Sequence, residues 1–128
     1  IPDKRVFVGG NYSFGSRLED IADAIRDCEF IPIIALEFGI PIGTTRHSAE
    51  QIIKQCKYGI FEVSSAAGQF FEMEDAKHYS LITLCLWDAY QGHLSEMLST
   101  HIVFTNNNRA YRNTRELHHQ VYDFLRNV

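Results

Sequence analysis

The sequence lacks the features that would place this chain in a membrane or on a nucleic acid. No apolar run approaches the roughly 18 residues of a membrane-spanning helix, and no signal-peptide pattern opens the sequence. The net charge is −4, and lysine and arginine form no cluster along the chain. We therefore expect a cytoplasmic protein that binds neither nucleic acid nor an anionic membrane surface.

Cysteines are few, and their spacing matches no metal site. Cys28, Cys56 and Cys85 are odd in number and far apart, which predicts reduced core thiols. No two histidines lie four positions apart beside an acid, as a zinc protease requires, and no serine stands in a G-x-S-x-G elbow. The sequence thus predicts no metal site and gives no support to acyl transfer.

The length of 128 residues suits one domain with a substantial core, and 45% of the residues are hydrophobic. No long tract of proline, glycine or serine divides the chain. A strand pattern begins near one end and a helix pattern reaches the other. We therefore expect residues 1–128 to form a single α/β domain, either cut from a longer multidomain chain or standing alone.

Short apolar runs alternate with helical patterns along the chain. The runs are continuous and rich in Val, Ile and Phe, which is typical of strands covered on both faces. This alternation predicts a three-layer α/β fold, with helices on both faces of a five-stranded parallel sheet. At this length the favoured strand order is the flavodoxin-like 2-1-3-4-5. The predicted strands are residues 5–10, 30–36, 58–64, 81–87 and 101–106.

Three of the predicted helices have recognisable starts. Ser16 with Glu19 and Ser48 with Gln51 are interpreted as capping boxes, and Asn113 as an N-cap. A weaker helix is predicted around residues 93–99, and FTNNNR at 104–109 is interpreted as a polar loop. The apolar stripes of the three helices are Leu18, Ile21, Ala22 and Ile25; Ala49, Ile52, Ile53 and Cys56; and Leu117, Val121, Phe124 and Leu125.

The predicted strand order determines where a ligand is expected. In open parallel sheets, ligands bind outside the carboxyl ends of the strands, at the point where the order reverses. Here the loops GGNYSFGS (9–16) and SSAAG (64–68) face each other at that point. The first loop is a weak phosphate motif, because it is neither G-x-G-x-x-G nor a P-loop. The predicted ligand-contacting residues of the two loops are Gly9, Gly10, Asn11, Tyr12, Ser13, Ser64, Ser65 and Gly68.

Four acids are predicted at the same edge: Glu37, Glu62, Glu72 and Asp88. Glu62 lies in a run that predicts burial, and a buried carboxylate needs partners. Glu72 falls in the second predicted turn of the next helix, beyond the reach of the helix dipole. A helical side chain leans over the preceding turn, so we expect its carboxylate above the bare backbone of Gly68. The alternatives are that Glu72 faces water and that Gly68 makes a close contact with the first strand.

The residues around Glu72 also resemble a known group of enzymes. VFVGGNYS (6–13) and YGIFEVSSAAGQFFEMEDA (58–76) are similar to nucleoside 2-deoxyribosyltransferase-like proteins and the related TIR-like domains, over residues 1–80. Deoxyribosyltransferases place Glu-Val at a strand end, followed by a small-residue turn, a glycine and, four positions later, the catalytic glutamate. Here the pattern begins at Glu62 and passes through Gly68 to Glu72, so the resemblance implies that Glu72 is catalytic.

One position departs from that pattern. Many deoxyribosyltransferases have an aspartate six positions before the glutamate, where this sequence has Ala66. An ordinary base must usually be protonated as it leaves, whereas nicotinamide leaves NAD as a neutral molecule, so that one carboxylate suffices. The departure favours NAD, as a substrate rather than a cofactor. Asp75 or Asp88 can nevertheless replace the missing acid.

Together these observations predict an N-glycosidase that cleaves the base–ribose bond of a nucleotide, with NAD favoured. Glu72 is expected at C1′, and Glu62 or Asp88 on the ribose hydroxyls. Resemblance to TIR effectors implies activation by self-association, and hence a homo-oligomer.

Other functions remain open. One is a deoxyribosyltransferase or nucleotide hydrolase. Another is a non-catalytic module that senses a nucleotide, and a third is an interaction domain that assembles through the helix surface around Phe70, Phe71 and Met73.

Overall fold

The computed structural model describes residues 2–34, 46–90 and 94–128. Five strands form one sheet in the order β2-β1-β3-β4-β5, and all four pairings are parallel, so the predicted flavodoxin-like fold is confirmed. The strands are β1 Arg5–Gly9, β2 Ile31–Ile34, β3 Tyr58–Glu62, β4 Ile82–Asp88 and β5 Asn108–Tyr111. Residues 35–36 of the second predicted strand, and Glu37, lie outside the described residues.

Helices cover both faces of the sheet. They are α1 Gly15–Asp27, α2 Arg46–Ile53, α3 Gln69–His78, α4 Glu96–Ser99, α5 Ile102–Asn106 and α6 Thr114–Arg126, with 3-10 turns at Pro2–Lys4 and Tyr12–Phe14. Alternate strand residues divide the core, so that Val6 and Val8 pack with α1 and α6, and Phe7 packs with the helices of the other face. The stripes predicted for α1 and α6 are buried. Among the described residues, no helix is both long and apolar enough to cross a membrane.

The fifth predicted strand is wrong. Residues 101–106 contain helix α5, and the strand begins two residues later, inside the segment interpreted as a loop. His101 explains the helix, because its Nδ1 accepts a hydrogen bond from the Val103 backbone N–H at 3.0 Å and so caps the first turn. Asn107 and Asn108 then donate side-chain hydrogen bonds to the backbone carbonyls of Thr83 and Phe104, which fixes the start of β5.

Both predicted capping boxes are also wrong, whereas the Asn113 cap is confirmed. α1 begins at Gly15, so Ser16 lies inside the helix, and Phe14 at the N-cap makes no side-chain capping bond. α2 begins at Arg46, which places Ser48 in its first turn. Asn113 Oδ1 accepts from the Glu116 backbone N–H at 2.9 Å. The predicted helix around residues 93–99 is shorter, at Glu96–Ser99, and residue 93 lies outside the described residues.

The cysteines are free thiols, as predicted. Cys56 and Cys85 are buried in the core and Cys28 is half-buried. Burial raises the pKa of the Cys56 thiol to about 11 and that of the Cys85 thiol to about 12. Neither is therefore ionised at neutral pH, which suits a packing role. In the described ranges, no group of three or more His, Cys, Asp or Glu side chains can hold a metal ion.

Candidate functional site

The loops after β1 and β3 meet at the carboxyl edge of the sheet, as predicted. Asn11 Nδ2 donates to Ser65 Oγ at 3.0 Å across the point where the strand order reverses. The Asn11 side-chain oxygen also accepts from the Ser13 backbone N–H at 3.0 Å. That second bond caps the 3-10 turn Tyr12–Phe14. Asn11 therefore fixes both the distance between the two loops and the start of the turn that carries Tyr12.

A buried glutamine shapes the turn between β3 and α3. Gln69 Nε2 donates to the backbone carbonyls of Glu62, at 3.2 Å, and Ser65, at 2.7 Å. Its Oε1 accepts from the Ala67 backbone N–H at 2.5 Å. These two carbonyl oxygens and this N–H group of the turn therefore have hydrogen-bond partners inside the protein. The sequence patterns do not single out Gln69, and its position at the first residue of the helix is the only signal of its role.

Glu72 lies one turn nearer the helix start than predicted. Gly68 is the N-cap of α3, so Glu72 belongs to the first turn and the helix dipole favours its ionised form. The carboxylate does not lie over Gly68, because nothing lies within 4 Å of a Cβ built there. A side chain at Gly68 would likewise meet nothing of β1, so no close approach of that strand requires a glycine here. The missing side chain of Gly68 leaves open space at the helix start.

The Glu72 carboxyl group is instead buried against Gly9 at the end of β1. Its side chain is only 8% exposed, so the alternative of a solvated glutamate is wrong. A Cβ built on Gly9 would lie 2.8 Å from Glu72 Oε1, so the carboxyl group occupies the space that the glycine leaves. Glu72 Oε2 accepts from the Tyr12 hydroxyl at 3.0 Å, while Oε1 has no hydrogen-bond partner among the described residues.

Burial dominates the electrostatics of Glu72. Loss of solvation raises its pKa from an ordinary value of 4.5 to about 7. The Tyr12 hydrogen bond opposes that rise, and the nearby charge of Asp75 adds to it. Burial and the same carboxylate raise the pKa of Tyr12, which therefore stays a hydrogen-bond donor at neutral pH. Near pH 7, Glu72 is thus divided between its neutral and ionised forms.

Glu62 is buried and has the partners that its position requires. Its Oε1 accepts from the Ser64 backbone N–H at 2.7 Å, and its Oε2 accepts from Ser64 Oγ at 2.9 Å and from the Tyr111 hydroxyl. Ser64 Oγ in turn accepts from the Asp88 backbone N–H at 2.7 Å. These bonds join the carboxyl ends of β3, β4 and β5. Ser64, predicted to contact a ligand, is buried within this network.

Arg17 of α1 reaches the same network and was missed from the sequence. Its guanidinium donates to Asp88 Oδ2 at 3.2 Å and lies 3.9 Å from Glu62 Oε2. Asp88 also accepts from the Tyr90 backbone N–H at 2.9 Å. Arg17 therefore balances two of the acids predicted at this edge.

The remaining predicted residues differ in accessibility. Gly10 is packed, because a Cβ there would lie 2.7 Å from a Leu18 methyl group, whereas Ser13 and Gly68 are exposed. A narrow cleft of about 10 Å³, which is room for about one water molecule, opens between the two loops. It is lined by Asn11, Phe14, Arg17, Leu18, Glu62 and Ser65.

Comparison with known proteins agrees with the fold and assigns no family. No family model and no curated protein matches the chain. A solved structure of a diflavin flavoprotein A3 from Nostoc sp. is similar, with a TM-score of 0.55 and 11% sequence identity. The alignment covers 95% of this chain and 88% of that chain. At such low identity the likeness shows only the flavodoxin-like α/β architecture.

Proposed function

We propose that this domain is an N-glycosidase that cleaves the base–ribose bond of a nucleotide, with NAD the favoured substrate. The observation that carries the proposal is the environment of Glu72. This carboxyl group is buried at the ligand-binding edge of the fold, one of its oxygens has no hydrogen-bond partner among the described residues, and no basic side chain among them pairs with it. Unsatisfied buried polar groups are rare in structural positions and cluster at functional ones.

The proposed chemistry needs one ionised carboxylate. The C1′–N1 bond of NAD breaks, its electron pair leaves with nicotinamide, and Glu72 stabilises the positive charge on the sugar or bonds to C1′. Water then adds at C1′ and its proton passes to solvent, giving ADP-ribose; where Glu72 has bonded to C1′, this step also breaks that bond and regenerates the carboxylate. The cationic nicotinamide ring also favours the ionised form of Glu72, which offsets the effect of burial.

Other residues of the two loops have supporting roles in this proposal. The Tyr12 hydroxyl orients the carboxyl group of Glu72, and Asn11 and Ser65 offer polar atoms to the sugar. Glu62 holds the strand ends together, because its oxygens already accept three hydrogen bonds within the protein. Since Tyr12 covers Glu72, the Tyr12–Phe14 turn must shift before C1′ reaches the carboxylate.

The test is nicotinamide release from NAD by concentrated protein, comparing the parent chain with Glu72→Gln. We expect the substitution to abolish release. Glu74→Gln is the matched control, because Glu74 lies on the same helix, is half-buried and pairs with His101 instead. Equal release by the parent and Glu72→Gln proteins would eliminate the proposal. Recovery of tightly bound, intact NAD would instead identify a nucleotide-sensing module.

Asp75 supports a second candidate, a nucleoside 2-deoxyribosyltransferase or nucleotide hydrolase. This side chain is buried on α3 three positions after Glu72, which is about one helical turn, and its charge contributes to the raised pKa of Glu72. Paired carboxyl groups can divide the roles of nucleophile and acid, which an uncharged leaving base requires. Cleavage of ordinary deoxynucleosides that is lost in Asp75→Asn, with NAD untouched, would favour this candidate.

Self-association and a homo-oligomeric state remain part of the main proposal. The helix surface named in the sequence is divided in the fold: Phe71 is 56% exposed, whereas Met73 is fully buried and Phe70 packs edge-on against His101. An interaction domain would therefore use Phe71 and not Met73. If NAD cleavage depends on assembly, its specific activity should rise with protein concentration.

A further inference from the structure

The fold brings together cations that are scattered in the sequence. The chain contains four lysines, at positions 4, 54, 57 and 77. Lys4 immediately precedes β1, Lys57 immediately precedes β3, and Lys54 follows α2, while Lys77 lies in the last turn of α3. Strands of a parallel sheet begin at one edge, and the connecting helices end there. All four lysines therefore lie at the amino edge, opposite the candidate functional site.

A groove of about 470 Å³ opens in this basic edge. It is lined by Asp3, Arg5, Lys54, Gln55, Cys56, Lys57, Tyr79 and Ser80, so three cations face one acid. The ion pairs of the described residues involve Arg17, Arg26, His101, Arg109 and Arg112, and none involves a cation of the groove.

Helix dipoles explain only part of this arrangement. A lysine near a helix C-terminus is stabilised by the partial negative charge there, which accounts for Lys54 and Lys77. Arg5 and Lys57 belong to the starts of β1 and β3, where no helix end requires them. The Lys57 backbone N–H donates to the Arg5 carbonyl at 3.3 Å, so the two cations project from adjacent strands. The helix ends alone therefore do not account for the three cations of the groove, in a chain whose net charge is −4.

We infer that this groove is a docking site for an acidic polypeptide segment. Compact phosphate groups are often held by backbone N–H groups at a helix start, whereas α2 and α3 have their C-terminal ends at this groove. An acidic peptide carries single carboxylate charges spaced along its length, and these match the separated cations of the groove. Its backbone N–H groups are donors, which the C-terminal ends of helices favour. Three groove cations are fewer than the extended basic surface that a nucleic acid requires. The inference is independent of the proposed glycosidase activity.

The experiment measures binding of a labelled oligoglutamate peptide to the folded chain at low and physiological ionic strength. We expect the double variant Lys54→Glu, Lys57→Glu to bind about tenfold more weakly, since it reverses two of the three groove cations. Binding by the parent chain should also weaken as salt is added. Arg112→Glu with Arg115→Glu is the matched control, because both arginines line the surface that follows β5 at the opposite edge, so this pair changes the net charge equally and should leave the affinity unchanged.

A second measurement needs no variant. Titration of the peptide into isotopically labelled parent chain should shift the amide resonances of Arg5, Lys57 and Ser80 in the NMR spectrum. The inference is overturned if the shifts map elsewhere, if both charge-reversal pairs weaken binding equally, or if the peptide does not bind. It is also overturned if inorganic tripolyphosphate, a single-stranded oligonucleotide or phosphatidylserine vesicles bind at the groove in preference to the peptide.

Discussion

The hydroxyl of Tyr12 donates a hydrogen bond of 3.0 Å to Oε2 of Glu72. The two residues are 60 positions apart in sequence, on either side of the point where the strand order reverses. The bond satisfies one oxygen of a carboxyl group that is otherwise desolvated, and it favours the ionised form of that group. It therefore couples the position of the first loop to the charge of the proposed catalytic residue.

Tyr12→Phe should raise the pKa of Glu72 above about 7, because the hydrogen bond that favours the ionised form is lost. Hydrogen bonds to charged groups contribute about 1.5–3 kcal/mol, so a rise of about one pH unit or more is expected. The measurement is the NMR titration of the Glu72 side-chain carboxyl carbon. Tyr122→Phe is the control, since its hydroxyl bonds Asp27 at a distance from the site. An unchanged titration midpoint in Tyr12→Phe would contradict the coupling.

The raised pKa of Glu72 makes the stability of the fold depend on pH. A group with a higher pKa in the folded state stabilises the fold fully below its unfolded pKa, and this contribution is lost as pH rises through the folded pKa. For Glu72 the loss runs from about pH 4.5 through about pH 7, and the displacement between those values corresponds to roughly 3 kcal/mol.

Glu72→Gln removes the ionisable group and should flatten that dependence. Relative to this variant, the parent chain should lose about 2.5 kcal/mol in its free energy of unfolding between pH 5 and pH 8, measured with urea. The difference between the two proteins cancels the histidines and other groups that they share. If the free energies of unfolding of the two proteins change in parallel over this pH range, burial does not raise the pKa of Glu72.

Glu62→Gln tests whether the network at the strand ends is structural. Glu62 Oε1 accepts from the Ser64 backbone N–H, which can only donate, and Oε2 accepts from the hydroxyl groups of Ser64 and Tyr111. An amide NH₂ in place of one oxygen would face two hydroxyl donors, so we expect a loss of about 1–3 kcal/mol in the free energy of unfolding. Tyr111→Phe removes a single donor and should cost less. If Glu62→Gln is as stable as the parent, Glu62 is available for a ligand instead.

Much of the architecture follows from local sequence. The runs around Val6 and Ile60 are buried on both faces and predict central strands, and Leu18 with Ile21 predicts the buried face of α1. β5 was missed because it is a short edge strand whose first two residues, Asn108 and Arg109, are exposed. A polar edge strand carries no apolar signal. The apolar run before it belongs to a helix with its own cap.

The site was only partly predictable, for a different reason. The two facing loops follow from strand order alone, and the burial of Glu62 follows from its neighbours. The contacts of Arg17 and Tyr111 with Glu62 join residues 45 and 49 positions apart. Only the three-dimensional packing of α1 and β5 brings them together. Helical spacing places the Glu72 carboxyl group over Gly68, whereas it lies against Gly9 of β1, a contact between two elements that spacing within one helix does not show.

Gly9 and Gly68 differ in what surrounds the position of a Cβ atom, because Gly9 is closely packed and Gly68 faces open space. A Cβ on Gly9 would lie 2.8 Å from both Glu72 Oε1 and a ring carbon of Phe61, so Gly9→Ala should displace the carboxyl group and destabilise the fold by about 1–3 kcal/mol. Gly68 has a φ of −87° and nothing within 4 Å of such a Cβ. Gly68→Ala should therefore change stability by less than about 1 kcal/mol, because the smaller freedom of the unfolded chain offsets the poorer N-cap residue.

Urea unfolding of both variants, together with the Glu72 carboxyl titration, checks this pair. Displacement of the carboxyl group in Gly9→Ala should weaken the Tyr12 hydrogen bond and so change the midpoint of the Glu72 titration, whereas Gly68→Ala should keep the parent midpoint. If instead Gly68→Ala alters the titration and Gly9→Ala does not, the carboxyl group lies over the helix start, as the sequence first suggested. The contact with Gly9 of β1 therefore determines where the Glu72 carboxyl group lies.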